Sequence, residues 1–283
     1  MEQKQEPLLE FKDVSLQFGD TWALKNVSLA LYPGESRIIL GAAGSGKTTL
    51  LKAVIGLVPV DRGEVRLFGE TVTGKQETDL FAPRGHVGFL FQEGGLFDSL
   101  TIGENVEYPL LNRQLAAKAG KTQDDDVGDT EKRVHDALRF VELEQTIPQF
   151  PSEVSGGMRR RVGIARAIVT EPPLVLYDSP TAGLDPITAN TIMALIAKER
   201  DVRNSASLIV THRYQDGEIM SKYRYDAERQ ELEPTDGSNP GSAAKRRTRF
   251  LVMREGEIVF FGTREELEAS QDAYVKRFVR REN

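Results

Sequence analysis

A chain of 283 residues, 39% hydrophobic and 28% charged, can bury one large core shared by two lobes, and that composition excludes a disordered polymer. A formal charge of -6 excludes a surface given over wholly to gripping nucleic acid, which depends on neutralising phosphates, so no nucleic-acid partner is expected. The absence of cysteine rules out disulfides and thiolate metal sites.

No apolar run approaches the roughly 18 residues that span a bilayer, and the opening MEQKQEPLLEFKD has neither a basic nor an apolar leader segment. The expectation is a cytoplasmic protein that meets a membrane only through a partner. Short apolar strands alternate with longer amphipathic segments, the pattern of an α/β layered domain. Over residues 36–56 an apolar strand runs into Gly41, Ala42, Ala43, Gly44, Ser45, Gly46, Lys47, Thr48 and Thr49, and a helical pattern follows. Small residues let backbone N–H groups curl around phosphates, Lys47 reaches the terminal phosphates, and the Thr48 hydroxyl suits Mg²⁺. The bland alternative is a glycine-rich turn that binds nothing.

Residues 116–130 are small, polar and acidic and are expected to form a solvated loop. In the VSGGMRRR run, Ser155 can cap a helix while Gly156 and Gly157 let backbone approach an anion. Positive charge at Arg159, Arg160 and Arg161 is unfavourable at a helix start, so a negative partner, carboxylate or phosphate, is expected opposite them. A second strand ends in Asp178, whose carboxylate can hold Mg²⁺ through water or merely cap a turn. A third ends in His212, catalytic by the same logic or simply structural. Residues 227–247 carry Pro, Gly, Ser and charge but almost no large apolar side chain, and are expected to be an inserted loop. Basic runs at residues 245–247 and 276–281 are expected to solvate a face.

With VSGGM between the phosphate loop and the Asp178 strand, the chain resembles the ATP-binding subunits of ABC transporters over nearly its whole length. The resemblance implies a P-loop NTPase cassette with a mixed α/β core, an N-terminal antiparallel β subdomain and a helical subdomain. The nucleotide lobe would cover about 8–92 and 161–283, the helical lobe about 93–160, and the inserted loop about 227–247. It further implies that Phe18 stacks on adenine and that Gln92 senses the γ-phosphate and Mg²⁺. Ser155, Gly156 and Gly157 would contact ATP bound to the other copy of a head-to-tail homodimer, Asp185 would link the two sites, and His212 would be the switch histidine. ATP and Mg²⁺ are the implied cofactors. The implied partners are a second copy and an integral-membrane permease, at the cytoplasmic face of the inner membrane.

The segment FQEGGLFDSLTIGENVEYPLL, the Pro186-Ile187-Thr188 run and residues 273–279 resemble the Mce/Mla-type lipid-transport ATPases. That implies lipid cargo and Mce-type substrate-binding subunits. One departure stands out, because the family has Glu after the Asp of the second strand and this chain has Ser179. A neutral hydroxyl can orient water but cannot act as a base, and a positioned base contributes about 10² to 10⁴ in rate. Slow hydrolysis supported by His212 and Gln92 is expected. The alternatives are an ATP-binding clamp with little turnover and a soluble ABC ATPase outside transport.

Overall fold

The computed structural model describes residues 6–92, 94–118, 129–235 and 248–279. Four features expected from sequence fall wholly or partly outside these. They are Glu93 at the start of the expected helical lobe, the middle of the acidic loop at 119–128, residues 236–247 with their Lys245, Arg246 and Arg247, and the basic end of the tail, 280–283.

Strands β1 (Leu9–Phe18), β2 (Thr21–Leu31), β4 (Arg62–Leu67) and β5 (Glu70–Thr71) form an antiparallel sheet in the order β2-β1-β4-β5. A second sheet has six strands, ordered β12-β11-β3-β8-β7-β6. These are β3 (Ser36–Gly41), β6 (Val87–Leu90), β7 (Leu174–Asp178), β8 (Ala206–Val210), β11 (Thr248–Arg254) and β12 (Glu257–Gly262). All neighbours in it pair parallel except β11 with β12.

Its central strands are buried at every position, which explains why they read as unbroken apolar runs instead of alternating ones. Side chains still alternate between faces. Ile38, Leu40, Val175, Tyr177 and Ile209 enter one core with helices α5 (Gly156–Ile168) and α6 (Pro186–Arg203). Ile39, Leu174, Leu176, Leu208 and Val210 enter the other, with α1 (Lys47–Val54) and the antiparallel sheet. Each fully buried Leu or Ile contributes about 1.5–3 kcal/mol, so the sheet is held rigidly from both sides.

Helix α2 (Phe81–Arg84) precedes β6, and α3 (Ile102–Lys118) and α4 (Thr130–Phe140) pack with α5. The chain ends with α7 (Tyr214–Lys222), α8 (Arg264–Ala269) and α9 (Ala273–Val279). Among the described residues no helix is long and apolar enough to cross a membrane.

Two loops expected from sequence are corrected at their edges. Residues 116–118 continue α3, and Thr130 already belongs to α4, capped by Asp129 accepting from the Lys132 N–H at 3.1 Å. The 227–247 segment is not a loop from its start, because β10 (Glu231–Pro234) pairs antiparallel with β9 (Tyr223–Asp226). Leu232 and Glu233 are half-buried, and Glu233 pairs with Arg224 and Arg229, so β10 and β9 form a two-stranded ribbon outside the main sheet. The expected lobe boundary at 160 and 161 falls inside α5, which is continuous there.

Candidate functional site

Four loops that bear sequence-predicted site residues leave the main sheet at one edge. Because β3, β6, β7 and β8 are parallel, their carboxyl ends deliver Gly41, Gln92, Asp178 with Ser179, and His212 to the same side, where parallel α/β sheets hold ligands. The registers Leu90 with Tyr177, Asp178 with Val210 and Ile39 with Val210 bring these ends level.

Gly46 stands before the first residue of α1 with φ of 100°, and a Cβ there would lie 2.0 Å from the Ala23 carbonyl oxygen. Only glycine serves, and the turn lets the loop close over the helix N-terminus, a ready anion site. Ala42, Ala43 and Gly44 are exposed, while Thr48 and Thr49 sit half-buried in the first turn of α1. The Lys47 ammonium folds over the loop, donating to the carbonyls of Gly41 at 2.8 Å and Ala42 at 2.7 Å and to Ser45 Oγ at 3.3 Å. Burial lowers the Lys47 pKa, and nearby Asp178 opposes that shift.

Thr48 Oγ1 donates to Asp178 Oδ1 at 3.3 Å, which joins the phosphate loop to the tip of β7. A hydroxyl and a carboxylate so placed are the hard oxygen donors that suit Mg²⁺. Among the described residues there is no group of three or more His, Cys, Asp and Glu that could hold a metal. Ser179 Oγ donates to Asp178 Oδ1 at 3.2 Å, and the Ser179 N–H donates to the Val210 carbonyl at 2.8 Å. Gln92, His212 and Phe18 are exposed, Phe18 at 56%, so none of the three is part of the core.

Ser155, Gly156 and Gly157 lie elsewhere. Ser155 caps α5 by accepting from the Met158 N–H at 3.2 Å. The three residues line a groove of about 460 Å³ with Asp185, Leu184 and Thr188, and no residue of the phosphate loop lines it. A Cβ on Gly157 would stand 2.8 Å from the Thr188 methyl, so a larger residue there would push Thr188 aside. Asp185 caps α6, accepting from the N–H groups of Ile187 and Thr188, both at 3.0 Å, and from Thr188 Oγ1 at 2.5 Å. The Thr188 hydroxyl and N–H hold the Asp185 carboxyl below its ordinary pKa.

Of the arginines after the glycines, Arg161 stands opposite a carboxylate, Glu142, and all three also reach backbone carbonyls. Arg159 donates to the carbonyls of Pro151 and Val154, Arg160 to those of Phe91 and Ala182, and Arg161 to that of Val141, with Glu142 at 3.9 Å from Arg161. Backbone oxygens from neighbouring segments compensate charge that the helix dipole disfavours.

Sequence reasoning gave no individual role to two residues that touch the site. Tyr274 donates its hydroxyl to the Met253 carbonyl at 3.0 Å and accepts from the Ala42 N–H at 3.3 Å, fastening α9 to the phosphate loop. Arg166 donates to the carbonyls of Gly94 and Gly95, both at 2.7 Å, and so braces the chain just after Gln92. A lone tyrosine in a C-terminal helix carries no local signal for such a contact, and neither does one arginine within a basic helix.

The ABC transporter family profile matches residues 24–182, more than half of the chain. This chain belongs to the ABC transporter family. Cassettes of this family bind ATP with Mg²⁺ and hydrolyse it. The methionine import ATP-binding protein MetN of Rhizobium etli is 38% identical over 210 residues, covering 73% of this cassette and 55% of the relative. The cassette thus spans about half the length of that relative. The intermembrane phospholipid transport system ATP-binding protein MlaF of Escherichia coli K12 is 35% identical over 213 residues, 75% of this cassette and 76% of MlaF. Among solved structures, the dimeric post-hydrolysis state of the ATP-binding cassette MJ0796 bound to ADP and Pi matches with a TM-score of 0.70. It is 29% identical to this cassette and covers 90% of it and 98% of MJ0796. The α/β cassette with an antiparallel β subdomain and helices, expected from sequence, is the fold observed.

Proposed function

We propose that this cassette binds Mg-ATP, pairs head to tail with a second copy, hydrolyses ATP slowly and drives a membrane permease from the cytoplasmic face. The observation that carries this reading is the separation of the site into two halves. The phosphate loop and the tips of β6, β7 and β8 share one sheet edge, whereas the groove of Ser155, Gly156 and Gly157 contains no phosphate-loop residue. Two copies in antiparallel arrangement bring each groove onto the other's phosphate loop, and both halves then enclose one nucleotide.

In this reading Mg²⁺, when bound, neutralises charge on the phosphates. Lys47 exchanges its bonds to Gly41 and Ala42 for phosphate oxygens, and the loop N–H groups and the N-terminus of α1 orient them. Thr48 and Asp178 hold the ion, Phe18 supports the base, and Gln92 and His212 orient the attacking water and the γ-phosphate. Ser179 contributes no base, so catalysis rests on position and electrostatics. The helical lobe of about 93–160 and the nucleotide lobe around it would move as the pair closes and opens.

The cargo we propose is a phospholipid, delivered with Mce-type substrate-binding subunits. Its support is the segment from Phe91 to Leu111 and the even coverage of the relationship to MlaF. A second reading, an ATP clamp with little turnover, is favoured by the engagement of Ser179 Oγ with Asp178. Light scattering of the purified cassette with and without Mg-ATP, beside its phosphate release, tests both. An ATP-dependent dimer with turnover supports the first reading, and a dimer without turnover supports the clamp. A monomer at saturating Mg-ATP sinks both.

A further inference from the structure

The carboxylate of Asp216 belongs to none of the roles above. It stands in the first turn of α7, only 1% exposed, and its Oδ2 accepts from Thr181 Oγ1 and from Thr211 Oγ1, each at 2.6 Å. Thr181 follows Ser179 in the loop that leaves β7, and Thr211 immediately precedes His212 in the loop that leaves β8. One buried oxygen therefore ties together the two loops that bear Ser179 and His212.

The surrounding bonds leave little slack. Thr211 Oγ1 also accepts from the Arg213 N–H at 3.0 Å, and the Thr211 N–H donates to the Ile39 carbonyl at 3.0 Å. His212 is thus an exposed residue whose neighbours on either side are both anchored. The charged and titratable groups facing the carboxylate are Arg213, with Nη1 at 3.8 Å from Oδ1, and His212. Burial pushes the Asp216 carboxyl above its ordinary pKa, and both threonine hydroxyls, Arg213 and His212 act against that. Filling this space would need only an apolar side chain. Short bonds from two hydroxyls to one carboxylate add direction, which apolar packing does not.

We propose that Asp216 is a positioning residue that, through Thr181 and Thr211, fixes the spacing of the Ser179 and His212 loops so that both face one γ-phosphate. This rests on the reading of His212 as a γ-phosphate contact. Its importance is greater here than where a carboxylate base follows Asp178, since misplacement by about 1 Å costs on the order of 100-fold in rate and Ser179 offers no base to offset it.

The test uses the full chain. Asp216→Ala should lower kcat for Mg-ATP about 10- to 100-fold with KM changed less than about threefold. Asp216→Asn, whose amide oxygen can still accept from both threonines, should restore most of that loss, and Thr211→Val should show part of it. In a His212→Ala background, Asp216→Ala should add only the smaller part of its loss, the part carried by the Ser179 loop. Side-chain NMR of the three histidines, His86, His135 and His212, gives a readout independent of turnover. In the nucleotide-free protein Asp216→Ala should move or broaden the His212 signal and leave those of His86 and His135 in place. An unchanged His212 signal, or losses that add fully to His212→Ala, would overturn the proposal. Failure of the native chain to bind Mg-ATP would sink the nucleotide reading alone, and the nucleotide-free spectra would still decide on Asp216.

Discussion

Thr48 and Ser179 donate to the same oxygen, Asp178 Oδ1, at 3.3 Å and 3.2 Å. The hydroxyl that replaces the family's glutamate is thereby turned toward the carboxylate proposed to hold the metal. Ser179 also sits at φ of 51°, a left-handed conformation that most side chains adopt at some cost.

Ser179→Glu should raise steady-state phosphate release by at least about 100-fold, the usual worth of a positioned base, with little change in ATP affinity. The serine already bears the left-handed backbone, so the glutamate adds little strain. Unchanged turnover would assign the attacking water to another residue.

Lys47→Ala should weaken ATP binding by about 100-fold, equivalent to about 2.7 kcal/mol, through loss of a charged phosphate contact. Calorimetric titration with a non-hydrolysable ATP analogue measures this directly. Retained affinity would break the assignment of the phosphate loop.

Glu199 predicts a pH-dependent stability. It is 1% exposed, its Oε2 is 3.5 Å from Arg203 Nε, and burial raises its pKa to about 7 from 4.5. The folded state therefore holds this proton more tightly than the unfolded chain. Its contribution is fully present below about pH 4.5 and is lost as pH rises to about 7, a penalty on the order of 3 kcal/mol once ionised. Glu199→Gln should raise the Tm above pH 7 and flatten the fall between those limits, as read by calorimetry across pH. An unaltered slope would mean that Arg203 keeps the carboxylate ionised throughout.

Asn105 is fully buried and makes four hydrogen bonds to the loop after Gln92. Its Oδ1 accepts from the Phe97 N–H at 2.7 Å, and its Nδ2 donates to the carbonyls of Phe97, Leu100 and Thr101. Asn105→Ala removes the side-chain partner of the Phe97 N–H and the Leu100 carbonyl and should cost about 1–3 kcal/mol in chemical denaturation. Amide exchange should quicken first at residues 97–101. A loss below about 1 kcal/mol would show that water replaces the side chain.

Features built from contiguous residues were legible in the sequence. The strand, glycine turn and helix around Lys47, the cap at Ser155 and the strand tips at Asp178 and His212 each depend on neighbours a few positions away. The ribbon of β9 and β10 was missed because its strands carry too little apolar surface to signal pairing. The backbone partners of Arg159, Arg160 and Arg161 were not legible, because charge suggests a charged partner such as the Glu142 near Arg161 and says nothing of carbonyls.

By itself the sequence determined the family of this protein, the glycine-rich turn before Lys47 that we propose as its phosphate loop, and the absence of a glutamate after Asp178, since all three are written in short ordered runs. Only the tertiary structure decided that Thr48 meets Asp178, that Asp216 binds the loops of Ser179 and His212, and that Tyr274 reaches Ala42. Those contacts follow from β8 lying between β3 and β7, and from α9 returning to the end of β3. Strand order is set by the packing of two cores around one sheet, and no local pattern of residues encodes it.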